Sequence, residues 1–103
     1  SPSPLRNSFV LLNAVAVVGA SNPARVDRYR SFTFYIEASA ITTGGTMKLQ
    51  SFTPTGQWVD LDSRVISANG TTVVTVDGAF ELLRANLSAR TDGTYTVSMD
   101  AAS

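Results

Sequence analysis

Two residue types that support chemistry or stability in many small proteins are missing from this sequence. Its 103 residues include no cysteine and no histidine. Without cysteine the chain has neither disulfides nor thiolate metal ligands, which indicates assembly in a reducing cytosol or stabilisation by neighbours in an oligomer. Without histidine it lacks the usual general base, the commonest metal ligand and a simple pH switch. We therefore expect no metal site, no cofactor, no catalytic residue and no enzymatic activity.

Charge is also scarce and balanced. Charged residues make up 16% of the chain, against about 25% in an average globular protein. The formal net charge is zero, which gives no overall attraction to nucleic acid or to an anionic membrane. No apolar run approaches the roughly 18 residues of a transmembrane helix. We therefore predict neither nucleic acid nor membrane as a partner. The uncharged polar surface that remains suits a protein interface, although an ordinary threonine-rich β protein has the same composition.

Short alternating strands separated by turn residues fill residues 44–101. The turn signals are Gly44-Gly45, Asn69-Gly70, Asp77-Gly78 and Asp92-Gly93. We expect Asn69-Gly70 to close a hairpin between strands near residues 64–68 and 71–76, after a separate strand at 57–62. Residues 80–89 would suit a helix by composition, but the flanking turns favour a strand. The pattern predicts an all-β fold: a single antiparallel β-sandwich of seven to eight strands, with jelly-roll or Ig-like topology. A small barrel is the alternative, and both are favoured over an open sheet.

The first 40 residues are less regular. Residues 30–40 alternate cleanly, which predicts a central strand whose core face holds Phe32, Phe34, Ile36 and Ala38. Before it, residues 9–18 form the first strand, and their near-continuous apolar character indicates cover on both faces or partial cover by a neighbouring subunit. The chain starts with SPSP, which predicts an extended arm over residues 1–8 before a single sandwich domain over residues 9–103.

Three small groups of side chains could carry a function. Asp60 and Asp62 are spaced to project from one strand face, but the further oxygen ligands of a calcium loop are missing, so a solvated face with Arg64 as partner is favoured. Trp58, with Phe52 and Tyr35, could form a platform for a sugar ring. A single tryptophan in a small β-sandwich is more often a core residue, and we expect the core here.

The third group is the arginine loop at residues 25–30. Its arginines accompany Tyr29 and are partly offset by Asp27. Stacking on nucleic-acid bases needs a wider basic field, so a protein interface suits the group better, since arginine and tyrosine are favoured interface anchors. The simplest alternative is a solvated loop beside an inward Phe32.

Three segments resemble the small β-sandwich domains of structural proteins from tailed bacteriophages and prophages. They read TTGGTMKLQSFTPTGQWVDLD (residues 42–62), SANGTTVVTVDGAFELLRANLSA (67–89) and TDGTYTVSMDA (91–101). The shared elements are the TGGT strand, the W-V-D-L segment, the NGT turn, the G-x-F strand and the closing DGTYTV strand. They are turn and core residues, so they point to a fold more than to a role, and the first 40 residues depart from the pattern.

The resemblance implies a virion component, assembled in the host bacterial cytoplasm. It favours a capsid decoration (cement) protein that binds the capsid surface and stabilises the shell. The implied partner is the major capsid protein or another virion protein, and a homo-oligomer is expected, a trimer being one arrangement. The alternative is a carbohydrate-binding or receptor-binding module of a tail or head fibre. The residues predicted to bind a partner are Ser1, Pro2, Ser3, Pro4, Leu5, Arg6, Arg25, Arg28, Tyr29 and Arg30.

Overall fold

Nine β-strands and no helix make up residues 5–103, the part of the chain that the computed structural model describes. Ser1–Pro4, the first half of the predicted arm, lie outside the described residues. The strands are β1 (Arg6–Val15), β2 (Gly19–Ala20), β3 (Ala24–Arg25), β4 (Ser31–Ser39), β5 (Gly45–Phe52), β6 (Trp58–Ile66), β7 (Gly70–Asp77), β8 (Leu82–Arg90) and β9 (Thr94–Ala102). Within these residues no helix could span a membrane.

The strands form two antiparallel sheets whose order identifies a jelly roll. Sheet 1 runs β1-β9-β4-β7, and sheet 2 runs β2-β8-β5-β6, with β3 also pairing with β8. Because β2 and β3 share one partner, they act as a single interrupted strand, which gives eight strands in effect. The chain then pairs as one long ribbon: β5 with β6 at its tip, then β4 with β7, β2 and β3 with β8, and β1 with β9. Winding that ribbon into two sheets is the jelly-roll arrangement.

The core lies between the sheets and follows the predicted alternation. Side chains of a strand point to opposite faces in turn, so every second residue of β4, β5, β8 and β9 is buried. In β4 the predicted core face is confirmed, and β9, its neighbour in sheet 1, extends that face with Tyr95, Val97, Met99 and Ala101. Sheet 2 contributes Met47 and Leu49 from β5 and Leu83, Ala85 and Leu87 from β8.

Asp92 ties the TGGT and DGTYTV motifs together at one end of the sandwich. Its Oδ1 accepts hydrogen bonds from the backbone N–H of Thr42 (3.0 Å), Thr43 (3.1 Å) and Gly44 (2.8 Å). Those bonds, led by the one from Thr43, hold the pKa of Asp92 below its usual value of 3.8. The Tyr95 hydroxyl donates to the Asp92 carbonyl oxygen at 2.8 Å, and burial raises the pKa of Tyr95. The two motifs therefore belong to one structural unit.

This unit requires glycine at position 44, because no side chain fits there and because the backbone has a positive φ. Its φ is +107°, and a Cβ there would overlap the carbonyl oxygen of Ile66 and lie 2.9 Å from the carbonyl carbon. The Gly44 carbonyl in turn accepts the backbone N–H of Thr91 at 2.8 Å. The strand ends of β5, β6 and β8 thus meet at a point with no room for a side chain.

The Asn69-Gly70 turn is not a hairpin, contrary to the prediction. It connects β6 in sheet 2 to β7 in sheet 1, and the strands expected at residues 57–62 and 64–68 are one strand, β6. The dipeptide supplies the positive φ of Gly70 (+132°), which serves a corner between sheets as well as a hairpin. Asn69 then accepts the backbone N–H of Ile41 through its side chain at 2.8 Å.

The first strand begins and ends earlier than the predicted residues 9–18, and the arm boundary at residue 8 is wrong. Arg6 to Ser8 pair with Ala102 to Asp100 of β9, and the Ser8 hydroxyl donates to Asp100 at 2.6 Å. Polar residues can join an edge strand because one of its faces meets water. Val17 and Val18 lie beyond the strand and are exposed, and Val10 is exposed within it. The chain itself therefore does not cover both faces of β1.

Candidate partner-binding site

Several predicted partner-binding residues meet at one end of the sandwich, although they are distant in the sequence. β9 lies between β1 and β4, so that Arg6 and Ser31 both lie opposite Ala102. The backbone N–H of Arg30 donates to the Ala102 carbonyl at 2.8 Å. On the other side of β9, the N–H of Leu5 donates to the Ser103 hydroxyl at 2.8 Å. We call this surface, formed by Leu5, Arg6, Arg25, Arg28, Tyr29 and Arg30, the basic end.

The loop that carries Arg28 to Arg30 is held in place by its neighbours. Val26 is fully buried. Its backbone N–H donates a hydrogen bond to the Glu81 carbonyl at 2.8 Å, and its carbonyl accepts one from the backbone N–H of Tyr29 at 3.0 Å. The half-buried Tyr29 ring contacts Phe9 edge-on, with centroids 6.3 Å apart. Because the loop backbone is fixed, its arginines project from a defined base, which lowers the entropy lost on binding.

The basic end carries four arginines, with Asp27 in its loop and Asp77 opposite Ser31 as nearby acidic residues. Arg25 forms an ion pair with Glu81 at 3.3 Å, but both side chains are more than half exposed, so the pair contributes little stability. Within residues 5–103, Arg6, Arg28 and Arg30 form no ion pair and are exposed. Arg30 only reaches the Tyr29 carbonyl, at 3.4 Å. Three guanidinium groups are thus available to bind carboxylates on a partner.

Trp58 is not a core residue, contrary to the prediction. It is half-buried on the outer face of sheet 2, where it pairs with Phe52 across β5 and β6, with ring centroids 5.0 Å apart. The Arg84 guanidinium lies 4.0 Å from the centre of the indole ring, a cation–π contact. Tyr35, the third expected member of the platform, lies on β4 in the other sheet. The aromatic platform therefore consists of Trp58 and Phe52.

A polar network that was not predicted from the sequence adjoins this platform. Arg84 Nε donates to Gln50 Oε1 and Gln50 Nε2 donates to Asp60 Oδ1, both at 2.9 Å, and Lys48 Nζ lies 3.2 Å from Asp60 Oδ2. The Gln50 bond, followed by Lys48, lowers the pKa of Asp60. Gln50 is buried although it is polar. A usable signal was present, since Gln50 and Arg84 each alternate with core residues on their strands. We call Phe52, Trp58, Arg84, Gln50, Asp60 and Lys48 the tryptophan cluster.

Asp60 and Asp62 do not act as a pair. A bulge between Leu49 and Gln50 in the pairing of β5 with β6 breaks the alternation between them. Asp60 belongs to the tryptophan cluster. Asp62 accepts a hydrogen bond from Arg64 Nε at 2.8 Å, and Arg64 is the partner that the sequence favoured. Among residues 5–103, no three acidic side chains come together where they could hold a metal ion.

Comparison with known proteins identifies similar folds. No family model and no curated protein matches the chain. Among solved structures, YomS, a protein derived from the SPBc2 prophage, is similar over 100% of this chain and 97% of its own, with a TM-score of 0.78 and 16% identity. A prophage-derived protein thus shares this fold. PirA is similar over 95% of this chain and 93% of its own, with a TM-score of 0.54 and 14% identity. The predicted resemblance is supported at the level of the fold.

Proposed function

We propose that this chain is a structural protein of a bacteriophage particle, and specifically a capsid decoration protein that binds the outer surface of the shell. It would act by binding rather than by catalysis, with the major capsid protein as its partner. The observation that carries the proposal is the full-length similarity of its fold to a prophage-derived protein. The motifs that resemble phage structural proteins agree with it, because they build turns of this fold.

The basic end is the surface we assign to the capsid. Its three arginines without ion pairs would bind carboxylates of the shell, and the fixed loop would hold them in register. Each contact would be weak, but many copies on a symmetric lattice would together stabilise the particle. Of the predicted arm, Leu5 and Arg6 lie on this surface, and Arg6 to Ser8 belong to β1.

Two measurements test this proposal. Quantitative mass spectrometry of intact phage particles should find the protein at a copy number that scales with the major capsid protein. A far smaller number would place it in the neck or tail, and its absence would end the virion hypothesis. Arg28→Gln combined with Arg30→Gln should lower the occupancy on particles, whereas Arg64→Gln, an exposed arginine of β6, should not. If the wild type, the double variant and the Arg64 variant occupied the particles equally, the basic end would not be the capsid-binding surface.

A second candidate function, binding of a glycan, is favoured by the position of the tryptophan cluster on the outer face of sheet 2. An aromatic ring can stack on the apolar face of a sugar, and the neighbouring amide, carboxylate and cationic groups can bind its hydroxyls. Trp58 is the only tryptophan, so its fluorescence reports directly on this surface. Titration with a panel of bacterial cell-surface glycans should shift or quench that fluorescence, and Arg84→Met should weaken the response. A panel without effect on the emission would exclude this function for those glycans.

A further inference from the structure

One long side of the sandwich is free of charge. No charged residue occurs in the 18 consecutive residues 7–24, although the chain as a whole has 16 charged residues, which are eight basic and eight acidic. These residues form nearly all of β1, the connection to β2, β2 itself and the segment that leads into β3. β1 is an edge strand of sheet 1, and β2 and β3 lie at the edge of sheet 2. We call this side of the molecule the neutral margin.

The neutral margin exposes apolar side chains that the core does not use. Val10, Val17 and Val18 are 66%, 72% and 58% exposed. Val10 lies opposite Ser98, on the outer face of sheet 1, and Val17 and Val18 lie in the connection between β1 and β2. On the opposite side, Val59 and Val65 of β6 are exposed beside Asp60, Asp62 and Arg64, and Val73 is exposed on β7, which ends at Asp77. Charged edge strands of that kind resist association, whereas an uncharged one invites it.

The neutral margin also leaves backbone groups free to pair. Among the described strands β1 pairs only with β9, so its other edge is open. The register shifts between Val10 and Leu12 and between Leu12 and Val15, and such bulges interrupt a continuous edge. The bulges limit strand pairing with a neighbour, so most of the contact along this edge would be made by side chains.

We propose that the neutral margin is the interface through which two copies of this chain form a symmetric dimer. Two charge-free surfaces meet without desolvating ions and without repulsion between like charges, whereas a surface matched to a charged partner would carry charges of its own. An open strand is complementary to itself in antiparallel pairing, as a two-fold axis requires. The inference holds whether or not the protein belongs to a virion.

The neutral margin is large enough to form the interface of such a dimer. Ten residues of β1 span about 33 Å, and two sheets about 10 Å apart with their side chains give a width of about 20–25 Å. The product, on the order of 700–800 Å², matches the roughly 800 Å² that each partner buries in a standard interface.

Analytical ultracentrifugation of the purified chain tests the proposal. The protein should sediment as a dimer of the 10.9 kDa chain in a concentration-dependent equilibrium. Val17→Lys combined with Val18→Lys should weaken dimerisation by about tenfold or more, because a buried ammonium group must be desolvated. Val65→Lys changes a valine of β6 that is 78% exposed, so it is the matched control and should leave the dimer intact. A monomer at every concentration, or equal effects of both variants, would overturn the proposal.

A cysteine scan gives a second readout that does not depend on a tolerated lysine. The chain has no cysteine, so a single introduced thiol can form only an intermolecular disulfide. Val10 is near the middle of β1 and hence near the expected two-fold axis. Val10→Cys should therefore oxidise to a covalent dimer much faster than Val65→Cys under the same conditions. Equal rates would contradict the interface even if the protein were dimeric by another surface.

Discussion

The replacement Gly44→Ala should destabilise the fold far more than an ordinary glycine substitution. Gly44 lies where the ends of β5, β6 and β8 meet, and an added Cβ would overlap the carbonyl oxygen of Ile66. The nearest atoms are backbone atoms of a strand end, which cannot rotate away as a side chain can. The bond from the Thr91 N–H to the Gly44 carbonyl would be displaced with them.

Two contributions set the magnitude. A non-glycine residue at the φ of +107° is strained by about 1–3 kcal/mol. Forcing the two backbones apart resembles overpacking, which typically costs a further 1–3 kcal/mol or so. The expected loss of about 2–6 kcal/mol is a large share of the roughly 5–15 kcal/mol that stabilises a typical domain.

Gly70→Ala separates the two contributions. Gly70 has a φ of +132°, but a Cβ there would meet no atom within 4 Å, so this variant should show only the backbone strain of about 1–3 kcal/mol. The assay is urea unfolding followed by the fluorescence of Trp58, the only tryptophan. If the two variants lost equal stability, the tight approach of Gly44 to Ile66 would not matter and the reasoning would be refuted.

Four further variants test other parts of the structure by the same unfolding assay. Leu49→Ala removes a fully buried side chain and should cost about 2–5 kcal/mol, whereas Val65→Ala, at an exposed site, should stay within about 0.5 kcal/mol of the wild type. Arg25→Gln should also stay within about 0.5 kcal/mol, since its ion pair with Glu81 is exposed; a larger loss would mean that the pair is structural. Asp92→Asn should lower stability at neutral pH. Because the folded pKa of Asp92 is lowered from 3.8, its contribution is present above pH 3.8 and is lost as the pH falls through the folded value, so the gap between wild type and variant should close there. A gap that stayed constant on acidification would show that the Asp92 charge is not involved.

The core was predictable because it depends on a local pattern. Every second residue of a strand shares a face, so the apolar alternation around Phe34 identified the buried side of β4 without knowledge of its neighbours. The turns were predictable for the same reason. The sheet that the chain enters after a turn was not predictable, since the Asn69-Gly70 dipeptide provides the same backbone angles for a hairpin and for the corner found here. Only long-range pairing distinguishes them.

The candidate sites were predictable in part, for a related reason. The arginine loop was recognised, but its proximity to Leu5 and Arg6 depends on β9 lying between β1 and β4. Trp58 was expected in the core because the single tryptophan of a small β-sandwich is more often a core residue. It lies on the outer face of sheet 2, and the residues that it contacts there, Phe52 and Arg84, come from β5 and β8.

The ribbon topology places a constraint on how the molecule is made. β9, which the ribosome completes after the other eight strands, occupies the inside of sheet 1 and joins β1 to β4. Until it emerges, β1 has no partner in its sheet and β4 has only β7 beside it. Such non-local closure makes folding slow and leaves apolar surface exposed during synthesis. Folding of the nascent chain must therefore wait for the last strand, and loss of that strand would leave an open sheet able to recruit other chains.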